Sequence, residues 1–125
     1  MKIVIIIARL LLGLAFVVFG LNAFLHFLGM GPMPTGAAGA FMGALFQSGY
    51  FYAIAVVEIV SGLLLLSGKF VALGLTLLGP VIFNILCFHV FLEHGTGIQP
   101  GIIVACIEAF LIWGYRDRFA PLFKP

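Results

Sequence analysis

Glu58 offers this chain its clearest opening for chemistry. It lies eight residues inside an apolar stretch covering 50–68, where an ionised carboxylate would lose its hydration and the neutral acid is favoured. A neutral carboxyl at that depth can donate a hydrogen bond to a carbonyl ligand or carry a proton. Its other use is as glue, bonded to an amide on a second helix. Asn22, His26, Asn84 and His89 are polar side chains in two further apolar stretches. At about 1.5 Å of rise per residue, Glu58 and Asn84 both fall ~12 Å below the outer ends of their segments. Asn22 sits slightly higher, His26 one turn above it, and His89 matches His26 in level. These five residues are expected to converge on one ligand-binding site.

Other polar groups suggest different roles. Arg9 and Glu108 fall at similar depth toward the other side and are expected to form a structural ion pair; the alternative is that Arg9 reaches to the headgroups. Glu108 shares a stripe with Gly101, Ala105 and Ile112, a face suited to close helix packing. His26 and His89 at matched depth are the arrangement an axial haem would need. Met30, Met33 and Met42 with His26 or His94 are soft enough donors for Cu(I). Histidines near helix ends usually meet water, and clustered methionines usually fill apolar space, so neither metal nor haem is expected. His89 and Glu93, one turn apart, can simply pair. Cys87 and Cys106 form no C-x-x-C and are read as packing residues. There is no Ser–His–Asp set, phosphate-binding loop or di-iron repeat, so no catalytic residue is assigned.

Lipid must surround these residues. Of 125 residues, 64% are hydrophobic and 8% charged, with a mean hydropathy of +1.31. Soluble domains carry about 25% charged residues, so too little charge is present to coat a globule. The net charge is +2 without a basic run, which excludes nucleic acid as a partner. The whole chain, 1–125, is expected to be a single integral membrane domain. Lys2 starts an apolar run too long for a signal-peptide core, so the first segment is read as a retained helix.

Four spans are expected, over roughly 4–28, 50–68, 70–92 and 98–115, each near the ~20 residues a bilayer requires. Ser67, Gly68 and Lys69 make a tight turn between the second and third; Pro100 suits the first turn of the fourth. In this all-α four-helix bundle, Lys2, Arg9, Lys69, Arg116, Arg118 and Lys124 all fall on one side. The positive-inside rule makes that side cytoplasmic, with both termini inside a bacterial inner membrane. Thr35 is expected to cap a short interfacial helix over about 36–48, a lid between the first two spans. Pro80 interrupts the third span one turn before Asn84 and should kink it.

The chain also resembles DoxX-type membrane proteins. The resemblance is carried by residues 9–22 (RLLLGLAFVVFGLN), Pro32 and Pro34, Ser48 to Tyr50, Glu58 with 62–66 (GLLLL), 79–84 (GPVIFN), and Phe88 with His89. It implies a four-helix membrane fold in which Asn22, Glu58, Asn84 and His89 match the family's polar motifs. Some relatives are linked to quinone-reducing sulfur oxidation, others to membrane complexes handling oxidative stress. The resemblance therefore implies an accessory or quinone-linked subunit with membrane redox partners. The rival expectation is a small transporter, or an assembly or scaffold protein without catalysis, with a homo-oligomer supplying what one copy lacks.

Overall fold

The computed structural model describes residues 1–25 and 34–125 and is almost wholly helical, with no strand among them. A segment this apolar must satisfy its backbone internally, which the helix does locally. Three helices among the described residues are long and apolar enough to cross a membrane. They are α1 (Lys2–Leu25), α3 (Tyr50–Ser67) and a 22-residue run from Val71 to Leu92. The last comprises α4 (Val71–Cys87) and a terminal π-turn, Phe88–Leu92. A fourth apolar helix, α5 (Gln99–Gly114), has 16 residues and is shorter. The remaining elements are α2 (Gly36–Ser48), α6 (Arg116–Phe119) and a 3₁₀ turn at Ala120–Phe123.

The chain reverses between α3 and α4 at Gly68. Its φ of 75° suits a residue without a β-carbon, and its N–H bonds the Leu65 carbonyl at 3.3 Å. Ser67 Oγ accepts from the Lys69 N–H at 3.2 Å and closes the turn. Pro100 does fall in the first turn of α5. Thr35 precedes α2 as expected, but its hydroxyl makes no capping bond; the Gly39 N–H bonds the Thr35 carbonyl instead. Helix α4 passes through Pro80 without a break in its helical assignment.

Helix α1 packs chiefly on α3, α3 on α4, α4 on α5, and α5 back on α1. Leu12, Phe16, Leu65, Val71, Leu75, Leu78, Ile82 and Leu111 fill the centre of this ring. Large side chains such as Leu11, Leu63, Leu73, Phe83 and Ile103 point outward, an apolar mantle of the kind lipid accepts. α2 lies on α3 and on the π-turn, with Phe41 and Phe88 rings 5.6 Å apart. Gly114 of α5 abuts Ile5 of α1, and Gly68 abuts the Arg9 guanidinium. All six basic residues therefore gather toward one end of the helices. There Arg116 lies over Trp113 and Arg118 over Tyr115.

Candidate functional site

Of the five residues expected to form one pocket, the four described ones, Asn22, Glu58, Asn84 and His89, lie on different faces of their helices. Glu58 is half-buried and shares the stripe of Ala55, Ser61, Gly62 and Leu65, the buried residues of α3. It thus lies on the inward side of its helix. Asn84 does not. It is two residues past Ile82, which is 4% exposed, and so some 200° further round α4. Asn84 is exposed, and its Nδ2 donates to the Pro80 carbonyl at 2.8 Å. Thr76, one turn before Pro80, is exposed too and donates to the Ala72 carbonyl at 2.7 Å. The Thr76–Pro80–Asn84 stripe is therefore the outer face of α4. Depth along a segment leaves rotation about the helix axis undetermined.

Asn22 is half-buried and two residues beyond Gly20, nearly opposite the face of α1 that meets α3. His26 lies outside the described residues, as do Met30 and Met33. Among the described residues, no group of three His, Cys, Asp or Glu side chains could hold a metal ion.

His89 lines an open cavity of about 280 Å³ between α1, α4 and α5, with Phe16, Phe19, Ile85, Gly97, Pro100, Gly101 and Val104. Sequence reasoning missed all of these except His89. Phe16 and Phe19 supply aromatic walls from α1. The opening of α5 supplies room, because Gly97 and Gly101 carry no side chains and Pro100 commits the chain to helix there. The clustering of Gly97, Pro100 and Gly101 just after His89 was the available signal. The π-turn that carries His89 has no comparable signature in the sequence.

The imidazole is held from one side. Its Nδ1 lies 3.0 Å from Glu93 Oε1 and 3.1 Å from the Thr96 carbonyl. Both are acceptors, so the proton belongs on Nδ1 and, in the neutral ring, Nε2 offers a lone pair. The fixed Nδ1 contacts orient the ring, as outer partners orient ligating histidines elsewhere. Among the described lining residues, His89 is the one titratable side chain on an otherwise aromatic and aliphatic wall. That combination suits a small amphipathic ring carrying a hydroxyl group. A second, smaller cavity of about 190 Å³ lies outside α4 beneath α2, lined by Phe41, Asn84, Cys87, Phe88, Phe91 and Leu92. Asn84 and His89 thus belong to different cavities, and Glu58 lines neither.

The Arg9–Glu108 pair is not in hydrogen-bonding contact. Arg9 Nη1 donates to the Tyr115 hydroxyl at 3.3 Å, and the guanidinium lies against Gly68. Tyr115 is two helical turns, about 10 Å, from Glu108 along α5, so the cation is drawn toward the basic end. Both carboxylate oxygens of Glu108 are buried without a hydrogen-bond partner among the described residues, as is Arg9 Nε.

Comparison with protein-family models, with curated proteins and with solved structures yields no match.

Proposed function

We propose that the chain is a DoxX-like, four-span membrane protein that holds the ring of a small quinone-type ligand in its outer half, as an accessory subunit of a membrane redox system. The observation that carries this reading is the His89 cavity. At about 280 Å³ it is close to the lower end of the ~300–1,000 Å³ range of small-molecule sites, enough for one substituted ring. With Nδ1 engaged, His89 Nε2 is the nitrogen left to meet a ring oxygen, accepting from a quinol hydroxyl in the neutral ring and donating to a quinone carbonyl in the protonated one. The isoprenoid or alkyl tail of such a molecule can leave between helices into lipid.

For the topology, 16 residues of α5 reach about 24 Å, against a hydrocarbon core of about 30 Å. A modest local thinning accommodates that difference. The basic end then faces the cytoplasm of a bacterial inner membrane, with both termini inside. Leu12, Leu65, Val71, Leu75, Leu78 and Leu111, all fully buried, close the core below the cavity. That packing favours a one-sided binding site over a passage for a transported solute.

The test is purification in mild detergent followed by native mass spectrometry and ultraviolet–visible spectroscopy of bound species. A ring-bearing amphipath should co-purify with the wild type and be lost from Val104→Phe, which fills the cavity. Quinol added back should bind the wild type saturably. Equal binding by wild type and Val104→Phe, or none by either, would refute the site.

A further inference from the structure

Glu108 is 6% exposed, and neither carboxylate oxygen has a hydrogen-bond partner among the described residues. An ionised carboxylate so placed would have neither water nor a counter-charge in contact. The surrounding elements offer it little. From α1 the nearby cation is Arg9, turned away to Tyr115 and Gly68. α4 presents Gly79: a β-carbon there would lie 3.7 Å from Glu108 Oε2. From α3 comes only another carboxyl. Gly74 of α4 meets Ser61, Leu64 and Leu65, so in this antiparallel pair Glu58 falls near the level of Gly79. On α5 itself Tyr115 is two turns away.

Gly79 leaves the α4 turn beside Glu108 without a side chain to cover it. Burial costs the neutral carboxylic acid far less than it costs the carboxylate.

The same face of α5 also connects Glu108 with the outside. Gly101, Val104, Glu108 and Leu111 follow one another at helical spacing. Val104 and Gly101 line the His89 cavity, so Glu108 lies one turn, about 6 Å, below the Val104 floor.

We propose that Glu108 is a proton-binding site served by this cavity: a carboxylic acid seated against Gly79 of α4, exchanging its proton with water that enters past His89 and Val104. The site stands whether or not the cavity takes a ring ligand. Its occupant is the proton, and Glu108 is the group that binds it.

Infrared spectroscopy of the full-length protein in lipid vesicles tests this directly. A protonated carboxyl gives a carbonyl band above the amide region, and the band shifts when D replaces H. The wild type should show the band, Glu108→Gln should lose it, Glu108→Asp should move it, and Glu58→Gln should keep it. In D₂O the shift should complete at least tenfold more slowly in Val104→Phe than in the wild type. A band unchanged in both Glu108 variants would show that the residue is ionised and overturn the proposal. A band that does not respond to D₂O, or responds equally fast in Val104→Phe, would overturn proton exchange through the cavity.

Discussion

Two sides of α1 are packed by opposite rules. Toward α3 the contact is as close as backbones allow. A β-carbon added at Gly62 would fall 2.6 Å from the Gly13 carbonyl oxygen, and one at Gly20 would fall 2.9 Å from that of Ala55. Toward α4 and α5 the same helix presents Phe16 and Phe19, and their bulk holds the neighbours apart around a cavity. In lipid, burial of apolar area gives helices little reason to associate, so close van der Waals contact between small residues must hold them. The glycine seam therefore provides cohesion, and the aromatic side is left free to be imperfectly filled. A membrane protein of this size can keep a site open on one flank because the other is shut.

The largest effect should come from the seam. Gly62→Ala forces backbone apart from backbone and should cost about 1–3 kcal/mol, read as a lower melting temperature in detergent. A variant as stable as the wild type would show that the seam is not what holds α1 to α3. On the open flank, His89→Gln should leave melting nearly unchanged while weakening quinol binding by about 0.5–1.5 kcal/mol, one hydrogen bond's worth. Loss of binding and folding together would instead make His89 a structural residue. Gly101→Ala meets only the ends of Leu86 and Ile85 side chains, at 3.2 and 3.4 Å, and should cost less than about 1 kcal/mol. The smallest effect is expected on the outer face of α4. Asn84→Leu should change stability by no more than about 0.5 kcal/mol and leave quinol binding intact. Impaired binding there would return Asn84 to the site from which its position removes it.

The helices were legible because hydrophobic runs, Gly68, Pro100 and the Pro34–Thr35 opening mark them in the sequence. One-sided collection of the basic residues was legible for the same reason: it follows from counting reversals. The site was only half legible. Counting from assumed segment ends gave Glu58 and Asn84 one level, but with Gly74 against Ser61, Leu64 and Leu65, Glu58 falls near Gly79, about 7.5 Å along the axis from Asn84. Which way each points depends on how neighbouring helices rotate to bury their stripes. On α4 the stripe that won was Val71, Leu75, Leu78 and Ile82, and it turned Asn84 outward. Arg9 illustrates a different gap. Its depth matches Glu108, but its long side chain reaches Tyr115, and flexible reach is not encoded in spacing.

The contact between Arg9 and Tyr115 joins residues 106 positions apart, and that separation has a consequence for biosynthesis. At a typical elongation rate of about 5–20 residues per second, roughly 5–20 s pass between synthesis of the first and of the second. Throughout that interval the guanidinium must be sheltered by headgroups, water or the insertion machinery. α3 is synthesised well before α5, so α1 can have its partner along the glycine seam while the place of its cationic end still waits for the last helix.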